Sequence, residues 1–133
     1  TNACSISQWA AFEALTGSQD FLTKWRSIFQ NRRDMVVDGL NRIKGIECLV
    51  PDGAFYVFPG ISALLGTVSA GGAAIETDED FVMALLAEQG VALVHGKAFG
   101  LSGHFRLSYA ASERDLSSAL ERIARFCAGL KPA

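Results

Sequence analysis

The sequence predicts an α+β fold, a small and largely antiparallel sheet covered by helices, in one domain spanning residues 1–133. Three observations carry this expectation. Apolar residues recur at helical spacing near both ends of the chain, short runs of two-residue alternation lie between them, and Gly, Pro and Asp clusters separate the runs. With 133 residues, half of them hydrophobic and a fifth charged, the chain can bury a core without disulfide or metal staples.

The first helix is expected from Ser5, where Ser5-x-x-Gln8 has the form of a capping box, to a stop at Gly17. Trp9, Phe12 and Leu15 would form its inward side. A second helix is expected from about Gln19 to Lys44, its apolar stripe running from Phe21 and Trp25 through Phe29 and Val36 to Leu40 and Ile43, with Gly45 as its end. At 1.5 Å per residue it would measure roughly 37 Å, more than a domain of this size needs for its own core. The helical segment 1–45 is therefore expected also to contact a neighbouring large domain.

Glu47 to Val50 and Ala54 to Phe58 read as a β-hairpin about Pro51-Asp52-Gly53. Gly66 to Ala74 shows neither period and reads as a surface loop. Thr77-x-x-Asp80 opens a third helix, with Phe81, Val82, Leu85 and Leu86 inward and Gly90 as its stop. Val91 to Val94 and His104 to Tyr109 read as strands, the second with Phe105, Leu107 and Tyr109 on one face. Ser112-x-x-Asp115 caps a last helix that buries Leu116, Leu120, Ile123, Phe126 and Cys127.

The net charge of −2 argues against a nucleic-acid partner, which calls for a concentrated basic surface; Arg32-Arg33 reads as a solvated helix face. Cys4, Cys48 and Cys127 are odd in number and lack Cys-x-x-Cys spacing, so they read as reduced thiols of a cytoplasmic protein. No apolar run reaches the ~20 residues of a membrane helix. A start at Thr1 without methionine suits a fragment.

Alternation places Arg106 opposite Phe105, Leu107 and Tyr109, on the face of His104 and Ser108. A guanidinium on a rigid strand can grip a carboxylate through two parallel hydrogen bonds, although on pattern alone a solvent-facing or ion-paired arginine is the ordinary reading. His95 and His104 lack a third ligand at metal-like spacing. Gly96-Lys97-Ala98 lacks the Ser/Thr and the upstream glycine of a phosphate loop, and no Gly-x-Ser-x-Gly elbow occurs. Phe55-Tyr56 could line a pocket or belong to the core.

Five segments in order carry a family resemblance: Ser5-Ile-Ser-Gln-Trp-Ala-Ala-x-Glu-Ala-Leu, Arg32-Arg33-Asp34, Gly53-Ala-Phe-Tyr-Val-Phe-Pro, Gly90-Val-Ala-Leu-Val-His-Gly-x-Ala-Phe-Gly and Phe105-Arg-Leu-Ser-Tyr-Ala. Together, over nearly the whole chain, they resemble the C-terminal third of the fold type I, class I aminotransferases that use pyridoxal phosphate, especially the bacterial aspartate aminotransferases. The resemblance implies the small domain of an enzyme that moves an amino group between an amino acid and a 2-oxo acid, working as a homodimer.

It further implies that Arg106 binds the substrate α-carboxylate, that Phe55 lines the substrate pocket and that Phe99 supports the arginine. Thr1 and Asn2 match a segment that reaches toward the cofactor phosphate in the partner subunit, although Ala3 stands where the family has proline. In that family the Schiff-base lysine and the cofactor-ring aspartate lie upstream, and Lys24, Lys44, Lys97 and Lys131 do not occupy the lysine's motif. The chain alone is therefore expected to be inactive and to hold no pyridoxal phosphate. A transaminase for aromatic or prephenate-type acceptors and a non-catalytic ligand- or protein-binding module are the competing readings.

Overall fold

The computed structural model describes residues 2–133. Four helices, α1 (Ser5–Thr16), α2 (Phe21–Asn41), α3 (Asp78–Gln89) and α4 (Glu113–Ala128), accompany six short strands: β1 (Tyr56–Val57), β2 (Thr67–Val68), β3 (Ala74–Ile75), β4 (Val94–His95), β5 (Phe105–Ser108) and β6 (Lys131–Pro132). The strands form two antiparallel sheets, ordered β1-β5-β4 and β3-β2-β6. The α+β expectation holds, with the strands divided between two sheets.

Alternation along β5 decides where the core lies. Phe105, Leu107 and Tyr109 are buried, Arg106 is half-buried and Ser108 is exposed. On the buried side Phe81 of α3 stacks on Phe105 at 5.7 Å and meets Phe126 of α4 edge-on at 5.4 Å. The second half of α2 completes this core with Val36, Val37 and Leu40. Each such side chain contributes roughly 1.5–3 kcal/mol on burial, so β5 is held where the three helices meet.

The box at the start of α3 forms in both directions: the Asp80 amide donates to Thr77 Oγ1 and the Thr77 amide donates to Asp80 Oδ2. Gly90 ends the helix at φ +65°, a conformation costly for residues with a Cβ. At α4 the Asp115 amide donates to the Ser112 hydroxyl.

Several expectations are corrected. Ser5 lies within α1, because the Gln8 amide donates to the Cys4 carbonyl and closes the first turn there; Gln8 Nε2 donates instead to the Ala3 carbonyl. No residue of α1 is buried, and Trp9, Phe12 and Leu15 are 71, 56 and 83 % exposed, so they do not point inward. Phe21, Leu22 and Trp25 of α2 are exposed as well, and the helix ends at Asn41 rather than Lys44. Helical spacing fixes an apolar face but not what covers it.

The hairpin of residues 47–58 is reduced to one bridge, Glu47 with Gly60. The Asn41 side chain takes both backbone groups of Cys48, at 2.8 and 2.9 Å, and β1 pairs with β5 instead. Residues 66–74 are a true hairpin, β2 with β3, whose turn is clamped by Glu88: its carboxylate accepts from the Ser69 hydroxyl and the Gly71 amide. Pairing near residue 91 begins only at Val94, Leu86 is exposed, and Leu120 and Cys127 are half-buried. Arg32 and Arg33 are half-buried rather than solvated: Arg32 lies near the Phe29 ring and Arg33 pairs with Asp34.

Candidate functional site

Arg106 sits on the middle strand of the β1-β5-β4 sheet, turned away from the core. Its register partner on β4 is Val94, while β1 places Tyr56 opposite Ser108, one step along. Beyond β4 the chain makes a 3-10 turn over Gly96–Phe99. The guanidinium carbon consequently lies 4.5 Å from the Tyr56 ring centre and 4.4 Å from that of Phe99. Contacts of this kind contribute about 0.5–1 kcal/mol when exposed and about 2 when desolvated.

Among the described residues the ion pairs are Arg33 with Asp34, His95 with Asp78 and Arg114 with Asp115. None engages Arg106. Rings over the guanidinium leave its in-plane N–H edge available, the edge that receives a carboxylate in a bidentate pair. Phe58 extends the aromatic cluster, meeting Phe99 edge-on at 6.1 Å and stacking on His104 at 5.3 Å. Tyr56 and Phe58 were not named from sequence as partners of Arg106; the alternation Tyr56-Val57-Phe58 opposite β5 was the available signal.

Phe55 stands beside Tyr56, ring centres 4.5 Å apart, and reaches Phe29 of α2 at 6.4 Å. It is 42 % exposed. The preceding Ala54 has φ +61°, unusual for a residue with a Cβ. Tyr109 holds this turn, its hydroxyl donating to the Ala54 carbonyl and its amide to the Phe55 carbonyl, both at 2.9 Å. Asn2 is exposed ahead of α1, and Thr1 lies outside the described residues.

Cavities of about 370, 510 and 870 Å³ open elsewhere, and none is lined by Arg106, Tyr56 or Phe99. Burial pushes the Cys48 thiol up to about 11 and the Cys127 thiol up to about 12, so neither is a thiolate at neutral pH. What the arrangement offers chemically is a cation held between two rings, with no acidic partner among the described residues.

The family described as aminotransferase class I and II matches residues 1–123. The chain is 56 % identical to a probable aspartate/prephenate aminotransferase of Rhizobium leguminosarum bv. phaseoli, over 98 % of its own length and 33 % of the relative's. It is 57 % identical to an aspartate/prephenate aminotransferase of Cereibacter sphaeroides, over 98 and 32 % of the two chains. Among solved structures, the aspartate aminotransferase of Rhizobium meliloti superposes with a TM-score of 0.92 at 54 % identity, over 96 % of this chain and 32 % of that one. The chain thus spans about a third of the length of the curated relatives it matches.

Proposed function

The chain belongs to the class I and II aminotransferases, and from that premise we propose that it is the C-terminal, substrate-binding domain of an enzyme transferring an amino group between aspartate and a 2-oxo acid. Arg106, fixed between Tyr56 and Phe99 with no acidic partner among the described residues, is the observation that supports this reading best. It holds the substrate α-carboxylate, with Phe99 supporting the guanidinium and Phe55 lining the approach. A prephenate-type acceptor is the second reading, favoured by the names of the two relatives at 56 and 57 % identity.

Pyridoxal phosphate would supply the electron sink for such a transfer. The donor set around Arg106 does not fit it: its surroundings are the Tyr56 and Phe99 rings, and Lys97 brings its backbone amide, not its amine, into the neighbouring buried contacts. No step is assigned to the cofactor on this chain, whose part is confined to holding and orienting the carboxylate. The groups that hold the cofactor, and a partner subunit toward which the segment at Asn2 reaches, belong to the rest of a homodimeric parent. Assay of the full-length protein tests this: amino transfer from aspartate to 2-oxoglutarate is expected, and absence of transfer from any amino acid, with pyridoxal phosphate supplied, contradicts it.

The uncovered faces of α1 and the start of α2 belong to the same reading. Trp9 and Trp25 are 71 and 49 % exposed, and apolar surface of this extent usually meets a partner. The segment 1–45 packs on the remainder of the parent enzyme. Hydroxyl-radical footprinting of the full-length protein, corrected for side-chain reactivity, should show both tryptophans protected relative to Met83, which is 59 % exposed. Oxidation of both at the rate of Met83 would contradict the packing.

A further inference from the structure

Asp78 is a carboxylate with 2 % of its surface exposed. Burying such a group costs several kcal/mol unless hydrogen bonds and charge offset it. As the first residue of α3 it lies at the favourable end of the helix dipole. Its other partners come from β4 and the turn that follows it: the Lys97 amide donates to Oδ2 at 2.7 Å and His95 Nδ1 lies 3.9 Å away. Burial alone would raise the Asp78 carboxyl, but backbone hydrogen bonds and His95 outweigh it and hold it below its ordinary value.

Lys97 stands near the start of the segment 96–103, two positions before Phe99. The segment is closed on itself by the Gly96 amide bonding the His104 carbonyl and the Leu101 amide bonding the Gly96 carbonyl. At Gly96 a Cβ would collide with the Leu101 carbonyl, so the turn is tight as well as closed. Phe99 is 47 % exposed, so the core does not hold its ring. The ring stays against Arg106 because the backbone beneath it is tied down. That tie runs through Asp78 to α3, which Phe81 and Leu85 anchor in the core.

We infer that Asp78 is a positioning residue for carboxylate recognition: it braces the 96–103 loop so that Phe99 holds the Arg106 fork in place. This rests on the reading of Arg106 proposed above. In the full-length protein, Asp78→Asn keeps the size but removes the charge that faces the Lys97 amide and His95. The expected result is a KM for the amino acid raised about tenfold with kcat changed less than threefold. Amide exchange in residues 96–103 should quicken at least tenfold while exchange in α4 is unchanged. Phe99→Ala should itself raise KM, and adding Asp78→Asn to it should raise KM by no more than a further twofold, because the brace then has no ring to position.

Glu88→Ala, which cuts the clamp on the β2–β3 turn, should lower the melting temperature without moving KM, so lost stability alone does not mimic the effect. If Asp78→Asn fails to accumulate, Asp78→Glu keeps the charge but misplaces the oxygens and should raise KM in the same way. A KM within twofold of wild type in the folded variant, or an undiminished tenfold rise in the Phe99→Ala background, overturns the inference. Arg106→Ala measured alongside separates two failures. An unmoved KM there overturns the functional reading and this inference with it; a raised KM there beside an unmoved KM for Asp78→Asn overturns this inference alone.

Discussion

Replacing Arg106 with alanine in the full-length protein is expected to lower kcat/KM for aspartate by about 10²-fold or more, equivalent to about 2.7 kcal/mol of lost transition-state binding. The magnitude follows from the setting. A surface ion pair contributes roughly 0–1 kcal/mol, whereas a charge-assisted bidentate pair beside two aromatic rings is partly desolvated and pre-oriented, and lacks a competing acidic partner among the described residues. Arg106→Lys should recover only part of the loss, since an ammonium keeps the charge without the planar fork. A loss below about threefold, or about 0.7 kcal/mol, in a folded Arg106→Ala protein would assign the residue the value of a surface charge.

The second large effect is structural. Phe81→Ala removes a fully buried ring that touches both Phe105 and Phe126, and changes of this kind cost about 3–5 kcal/mol. A typical domain is stable by only about 5–15 kcal/mol. Amide exchange in β5 and α3 of the full-length protein should accelerate by more than about a hundredfold, and carboxylate binding should weaken with it, because β5 carries Arg106. Leu86→Ala, at a side chain 43 % exposed in the same helix, should change exchange little. Acceleration of β5 exchange below about tenfold in Phe81→Ala would mean that this cluster does not hold the strand.

Capping chemistry made α3 and α4 legible in the sequence, and period did so for β5 and α4, because their apolar faces meet the core of this same chain. The alternation Phe105-Arg-Leu-Ser-Tyr placed Arg106 outward, where the structure has it. Long-range pairing was hidden. The union of Tyr56 with Ser108 depends on register between segments far apart in the chain, so the alternation Tyr56-Val57-Phe58 could not by itself place the Tyr56 ring beside Arg106. The β2–β3 hairpin escaped because glycine and alanine erase the alternation, while its clamp, Glu88, sits on a helix. Asp78 had no reading in the sequence; only the fold brings Lys97 of the 96–103 loop onto it. For α1, the burial inferred from the spacing of Trp9, Phe12 and Leu15 does not occur within this chain.

The most direct measurement deletes the interaction from the ligand side. Full-length wild type and Arg106→Ala are each assayed with an amino acid and with the corresponding amine, which lacks the α-carboxylate. If Arg106 grips that carboxylate, the substitution costs about 10²-fold in kcat/KM toward the amino acid and changes the rate toward the amine by less than about threefold. Equal losses toward both substrates would show that Arg106 acts on the fold or on the reaction generally, and the assignment of this strand as the carboxylate-binding element would be wrong.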